Sequence, residues 1–347
     1  MSLEGNKYGT HRVIEPKGVL PQPATRINNQ MDTLYNNEIL IDVDVLNIDS
    51  ASFTQIKTQA NNDLDAIKSI ILDIVNKQGK MKNPVTGSGG MLIGSVEKIG
   101  SALNGKIDLK EGDRIATLVS LSLTPLHIEE ITAIKPEIDQ VRVKAKAILF
   151  ESGIYAKLPA DMSETLSLAV LDVCGAPAQT ERLVKQGDTV VVLGAGGKSG
   201  ILCCAVAKSM VGPKGMVIGA DYNAENIDRL KQTDVCTHAI KLNATNALSC
   251  YEAIDQLTNG ALADVVINTV NIPNTEMGSI LMCKERGTVY FFSMATSFTK
   301  AALGAEGVGK DINMLIGNGY ALGHADMSIE LLRKNKAIRK LYEDLYT

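Results

Sequence analysis

Between Glu38 and Asn47 the chain reads Glu-Ile-Leu-Ile-Asp-Val-Asp-Val-Leu-Asn, apolar alternating with polar. A period of two is that of a strand with one buried face, so this stretch predicts a strand. Residues 91–99 and 113–119 carry the same pattern, the first set off by the chain-breaking run Gly87-Ser88-Gly89-Gly90. Residues 61–76 instead place Leu64, Ile67, Ile71 and Ile74 at helical spacing. The first part of the chain therefore predicts a strand-rich domain with an inserted helix.

Past Leu158-Pro159 the rhythm changes. Short apolar runs at 189–193, 216–220, 239–242, 264–267 and 288–292 predict strands, with a sixth at 314–320. Helical patterns at 200–210, 224–231 and 247–257 fall between them, and a charged helix over 327–345 closes the chain. Strands alternating with helices build a parallel sheet, and six strands make a full doubly wound dinucleotide-binding sheet. The expected class is α/β, with a β-rich domain over 1–160 and a Rossmann domain over 161–347.

One junction sharpens this picture. The strand Thr189-Val190-Val191-Val192-Leu193 runs into Gly194-Ala195-Gly196-Gly197-Lys198-Ser199-Gly200 and then a helix. Gly194 permits the tight turn and Gly196 lets backbone approach a pyrophosphate, while the helix start at Gly197, Lys198 and Ser199 offers N–H groups and partial positive charge. Ser199 occupies the third glycine position, where a small side chain allows close helix packing. Asp221 ends the next strand at the spacing expected of a ribose-binding carboxylate. It favours NAD by repelling a 2′-phosphate, although Arg229 and Lys231 keep NADP open. A Walker loop would need glycine at the place of Val192, which argues against a nucleoside triphosphatase.

Length and charge narrow the partners. A chain of 347 residues suggests two domains. Its net charge of −4 supplies no positive field for a phosphate backbone, so a small molecule is expected rather than nucleic acid. No apolar run reaches the ~20 residues needed to span a bilayer, and residues 1–23 are polar, so no membrane partner and a cytoplasmic location are expected. Cys174, Cys203, Cys204, Cys236, Cys250 and Cys283 show no CxxC pair or metal-like spacing, which suits buried thiols in a reducing compartment.

Together these residues resemble the medium-chain dehydrogenase/reductase superfamily, which joins a GroES-like N-terminal domain to a Rossmann domain. The residues at 38–52, Gly94–Gly100, Lys110-Glu111-Gly112-Asp113-Arg114 and Lys185-Gln186-Gly187-Asp188 carry that likeness. Within it, residues 9–23, 46–55, 83–93, 291–311 and 316–324 are similar to the zinc-free 3,5-diaminohexanoate dehydrogenase family of lysine fermentation. Where zinc-dependent relatives carry a cysteine and a His-Glu pair, this chain has Asp49 and Gly90-Met91, and their four-cysteine lobe has no counterpart. An isolated Asp49 cannot complete a tetrahedral zinc site, so no metal is expected.

The resemblance implies oxidation of (3S,5S)-3,5-diaminohexanoate at C3, with hydride passing to NAD or NADP and water converting the imine to 5-amino-3-oxohexanoate. An ammonium nitrogen has no lone pair to expel a hydride, so a base must deprotonate it first. Asp49 is the leading candidate; the same residue also fits a turn-capping Asp beside Ser50 and Ser52. Tyr155 and His324 are further catalytic candidates, each equally compatible with a structural role. For the substrate, His11 and Arg12 are candidates for its carboxylate, since arginine grips carboxylates in a two-point fork. Ser52 belongs with them, and Glu129, with its neighbour Glu130, is a candidate for the distal amine. Surface charge is the alternative for Arg12, Glu129 and Glu130. Cys174, near a ligand position of zinc relatives, is expected to be buried and inert. Thr269 and Ser293 end predicted strands at the carboxyl edge, where cofactors dock.

The superfamily's habit implies a homodimer. Two other functions share the scaffold: a zinc-free quinone or enoyl-thioester reductase, and a non-catalytic nicotinamide nucleotide-binding protein.

Overall fold

The computed structural model describes residues 3–317 and 319–347. Its internal contacts divide the chain into two compact units, Met1–Glu164 and Thr165–Thr347.

The first unit contains β1 (Val13–Glu15), β2 (Arg26–Ile27), β3 (Glu38–Asn47), α1 (Ser50–Gln59), α2 (Leu64–Gln78), β4 (Met91–Ile99), β5 (Arg114–Thr117), β6 (Leu126–Lys135), β7 (Gln140–Phe150) and β8 (Tyr155–Lys157). Six of the strands form one antiparallel sheet in the order β6-β7-β3-β4-β5-β8, the GroES-like part of the fold. Strand β3 is central, which explains its apolar start. Ile39, Ile41 and Val43 enter the main core, while Leu40 joins Ile148 and Phe150 in a second cluster covered by Met31 and Leu34. Helix α2 buries Ile67, Ile71, Ile74 and Val75 on one stripe. The Asp63 carboxylate caps its first turn by accepting from Ala66 N–H, and Gly79, at φ 75°, ends it.

Helix α1 follows the expected strand where the sequence pattern predicts no helix. Of its ten residues only Ser52, Phe53 and Ile56 are buried, so the sequence offers two apolar points where a helical stripe needs more.

The second unit contains α3 (Glu164–Leu171), α4 (Gly175–Leu183), β9 (Thr189–Leu193), α5 (Lys198–Val211), β10 (Met216–Asp221), α6 (Ala224–Thr233), β11 (His238–Lys241), α7 (Ala247–Leu257), β12 (Ala263–Asn268), α8 (Glu276–Met282), β13 (Cys283–Phe291), α9 (Phe298–Gly307), β14 (Asn313–Ile316), α10 (His324–Lys334) and α11 (Lys336–Tyr346). Its sheet runs β11-β10-β9-β12-β13-β14 with every neighbouring pair parallel. By rank in the sequence that order is 3-2-1-4-5-6, the Rossmann arrangement.

Two expectations need correction. The sixth strand ends at Ile316, and Gly319 beyond it has φ 73°, a left-handed turn incompatible with a strand. Asn318, within the expected span, lies outside the described residues. The single closing helix is two helices, because the Asn335 side chain accepts from Ile338 N–H and starts α11 afresh. No helix among the described residues is long and apolar enough to cross a membrane.

Candidate active site

In the second unit the glycine turn follows β9, whose residues Val190 to Leu193 are all buried. Gly194 has φ 74°, which only glycine adopts without strain. A Cβ on Gly196 would stand 2.4 Å from the Asn226 Cβ, so helix packing requires glycine there. The close-packing role expected of Ser199 belongs to Gly200, whose Cβ would meet Gly194 O at 2.2 Å; Ser199 is half-buried in the first turn of α5. Gly197 is the N-cap, so the N–H groups of the following turn lack intrahelical acceptors. Lys198 turns its ammonium to Asp172 at 3.2 Å and over the Tyr346 ring, while its carbonyl accepts from the Tyr342 hydroxyl.

Asp221 is buried at the carboxyl end of β10. Its Oδ2 accepts from Gly196 N–H at 3.1 Å, and its Oδ1 accepts from Asn223 N–H and Asn226 Nδ2 at 3.0 Å each. The carboxylate thus fastens the glycine turn to the next strand. Beside it opens a cavity of about 320 Å³ lined by Leu193, Gly194, Asp221, Tyr222, Val270 and Ile272, among others. Apolar walls with one acidic rim suit an adenosine, the base between aliphatic side chains and the ribose hydroxyls donating to Asp221. Thr269 Oγ1 donates to Leu193 O at 2.7 Å and ties the end of β12 to that turn. Ser293, just past β13, accepts from Ala295 N–H at 3.1 Å. Arg229 donates to Asn226 Oδ1 and Lys231 pairs with Asp228.

In the first unit the candidates separate. Arg12 is buried, and all five of its N–H groups have acceptors in Glu38, Asn28 O, Gln30 O and Thr33 O. His11 Nε2 stands 2.8 Å from the same Glu38. The expected carboxylate clamp at His11 and Arg12 is therefore corrected: the guanidinium has no donor left for a substrate. Burial alone would push the Glu38 pKa up, but the Arg12 and His11 hydrogen bonds and the Arg12 charge outweigh it and hold the pKa below the usual carboxylate value.

Glu129 is exposed on β6, beside a cavity of about 540 Å³ shared with Asp32, Glu97, His127 and Lys146. Register puts it level with Val43 of β3, roughly 20 Å from Asp49 at ~3.3 Å per residue. Two amines of one 1,3-diamine cannot span that gap, so Glu129 does not hold the distal amine while Asp49 serves the other. Its neighbour Glu130 pairs with Lys144 on the surface. Tyr155, on β8, donates to Asp108 Oδ1 at 2.7 Å, and burial together with that carboxylate pushes its pKa up.

Asp49 sits half-buried just past the end of β3. Its Oδ1 accepts from Ser52 N–H at 3.0 Å and caps α1, and its Oδ2 accepts from Ser88 Oγ at 2.7 Å. Ser52 is fully buried and bonds to Thr86 and Ser88. Gly90, at φ 105°, passes so close that a Cβ would lie 2.1 Å from Asn47 O, leaving no room for a side chain. The Asp49 carboxylate thus meets one backbone N–H and one hydroxyl. Among the described residues no three His, Cys, Asp or Glu side chains gather to hold a metal ion.

In the second unit, His324 opens α10, buried against the Tyr320 ring at 5.0 Å, and burial lowers its pKa. Cys174 is buried, donates to Leu171 O, and has its pKa pushed up to about 12 by burial, so it is a poor nucleophile. Sequence reasoning missed Glu38 as the partner of Arg12, Ser88 as the neighbour of Asp49, and Thr86 as the neighbour of Ser52 and Ser88. The hydroxyl spacing Thr86-x-Ser88 before Gly90 was the available signal.

Two curated relatives cover almost all of the chain. The L-erythro-3,5-diaminohexanoate dehydrogenase of Acetoanaerobium sticklandii is 60% identical over 99% of this chain and 100% of its own. The chain belongs to the L-erythro-3,5-diaminohexanoate dehydrogenase family. The enzyme of that name from Fusobacterium nucleatum subsp. nucleatum is 57% identical over 99% of both chains. The profile of the L-erythro-3,5-diaminohexanoate dehydrogenase N-terminal domain matches residues 11–159. Among solved structures, a mycobacterial protein complexed with NADPH shares the fold with this dehydrogenase-family chain at TM-score 0.54 and 16% identity, over 94% of this chain and 87% of that one.

Proposed function

We propose that the chain oxidises L-erythro-3,5-diaminohexanoate at C3 with a nicotinamide dinucleotide as acceptor, giving 5-amino-3-oxohexanoate and ammonium. The observation that carries this reading is 60% identity, end to end, to an enzyme of that name. The bound dinucleotide supplies the hydride acceptor. Asp221, with its acidic rim on the 320 Å³ cavity, supports NAD over NADP. The glycine turn and the start of α5 would hold the diphosphate, as helix N-termini hold anions.

Asp49 takes one proton from the C3 ammonium, freeing the lone pair that forms the C=N bond as the C–H bond breaks. Water then adds to that carbon and ammonia leaves. The carboxylate also attracts the cationic substrate, whereas a metal ion would repel it. The hydroxyl surroundings of Asp49 and the closed space at Gly90 support chemistry without zinc. The superfamily's habit supports a homodimer, and the family's part in lysine fermentation supports a cytoplasmic role in lysine breakdown.

Rates of cofactor reduction with 3,5-diaminohexanoate, lysine, ornithine and simple alcohols test it. Reduced nicotinamide should accumulate with the 3,5-diamino acid alone, and faster with NAD than NADP. Silence with that substrate, together with oxidation of reduced cofactor by quinones or enoyl thioesters, would replace it with a reductase.

A further inference from the structure

The loop at 83–90, between α2 and β4, carries three polar side chains, with Asn83 buried, Ser88 half-buried and Thr86 exposed. Asn83 is fully buried, and both ends of its amide are engaged. Its Nδ2 donates to Gln55 Oε1 at 2.8 Å and Ser52 O at 3.3 Å, and its Oδ1 accepts from the N–H groups of Val85 and Thr86. Its own N–H donates to Ser88 O, and its carbonyl accepts from Gly87 N–H, both at 2.8 Å.

These bonds hold two hydroxyls against a third. Ser88 Oγ lies 2.7 Å from Asp49 Oδ2 and 3.0 Å from Ser52 Oγ, and Thr86 Oγ1 lies 2.5 Å from Ser52 Oγ and 3.3 Å from Ser88 Oγ. In each hydroxyl pair either oxygen can be the donor, as a path that moves protons requires. Ser52 is buried and Thr86 is exposed. An unbroken line of O–H groups therefore runs from a half-buried carboxylate to water.

We propose that Ser88, Ser52 and Thr86 form a proton relay from Asp49 to solvent, with Asn83 as the residue that positions it; the proposal rests on Asp49 being the base. When Asp49 has taken the substrate's proton, Oδ2–H donates to Ser88 Oγ. Ser88 passes its own proton to Ser52, or directly to Thr86, and Thr86 gives one to water. Each hydroxyl gains one proton and loses one, so the net change is one proton moved from Asp49 to bulk and no electron moved. The relay matters because the bound ammonium lies against the same carboxylate and Oδ1 is held by Ser52 N–H.

The test uses the full chain with NAD, substrate saturating and ionic strength fixed, while the concentration of a small buffer such as imidazole is raised. Thr86→Val, an exposed change, removes the outlet of both branches. Its kcat should fall about tenfold with KM within twofold, and should climb back as buffer supplies an alternative proton carrier. Ser88→Ala should behave alike, and Thr86→Ser should restore the rate without buffer. A Thr86→Val enzyme with unchanged kcat, or with a loss that buffer does not relieve, overturns the relay. Asp49→Asn separates the two levels. If it is inactive while Thr86→Val is untouched, only the relay fails; if it keeps full activity, the base and the relay fail together.

Discussion

The two ends of strand β3 carry carboxylates that are placed for opposite tasks. Glu38, its first residue, is buried and faces Arg12 through two N–H···O bonds, with His11 and Tyr35 N–H adding more. Asp49, two residues past its last, is half-buried and faces a backbone N–H and an alcohol. A carboxylate surrounded by a guanidinium and other N–H donors is stabilised as the anion and resists protonation. One held by an alcohol has beside it a partner that can donate or accept. The kind of donor, more than the presence of a carboxylate, separates the structural acid from the chemical one.

The two carboxylates differ most in what replacing Asp49 removes. Asp49→Asn keeps the α1 cap, because the amide oxygen still accepts from Ser52 N–H, but it removes the base. We expect kcat to fall about a thousandfold, with the melting temperature changed little. Comparable loss of folding with loss of rate would place Asp49 with Glu38 as a structural acid.

Arg12→Met should do the reverse, leaving Glu38 buried without its partner at a cost of about 3–5 kcal/mol, roughly 10 °C in melting temperature. The enzyme that remains folded at low temperature should turn over at nearly the parent rate. A selective rise in KM with no loss of stability would return Arg12 to the substrate.

The pH dependence has a definite sign. Because the folded-state pKa of Glu38 lies below its unfolded value, the stability it contributes is present above the ordinary carboxylate range. It is lost as pH falls through the lowered value, where the folded chain must also take the proton. Melting temperatures on the acid side should fall more steeply for the parent than for Glu38→Gln, which has no proton to gain there.

The smallest effect concerns a third carboxylate, Asp221, which both fastens Gly196 and rims the cavity. Asp221→Ser should weaken both cofactors but NAD more, shifting the NADP-to-NAD affinity ratio about tenfold, or ~1.4 kcal/mol. An unchanged ratio, read by fluorescence titration, would remove Asp221 from ribose recognition.

These carboxylates also show which parts of the molecule were legible in the sequence. In the second unit every strand is parallel, so the carboxyl ends of β9, β10 and β12 line one edge by topology alone. Gly194, Asp221 and Thr269 could be brought together from local motifs. In the first unit proximity depends on antiparallel register and on loops that fold back, such as the one that carries Ser88 to Asp49. Alternation along β3 announces a strand without saying that Glu38 closes on Arg12, 26 residues earlier. The same limit let Glu129 and Asp49 be considered for one substrate, although two strands and several residues of register separate them. Helix α1 escaped because its stripe has two large apolar members, and Ser199 was credited with packing that falls to Gly200, one residue on.

In the proposed reaction the bond broken lies at C3 of the diamino acid and its hydrogen leaves as hydride. Substrate carrying deuterium at C3, turned over once with NAD, tests this by mass spectrometry. One deuterium should appear on each reduced cofactor formed and none in the product. Deuterium retained in the product, or released to water while the cofactor stays unlabelled, would contradict it.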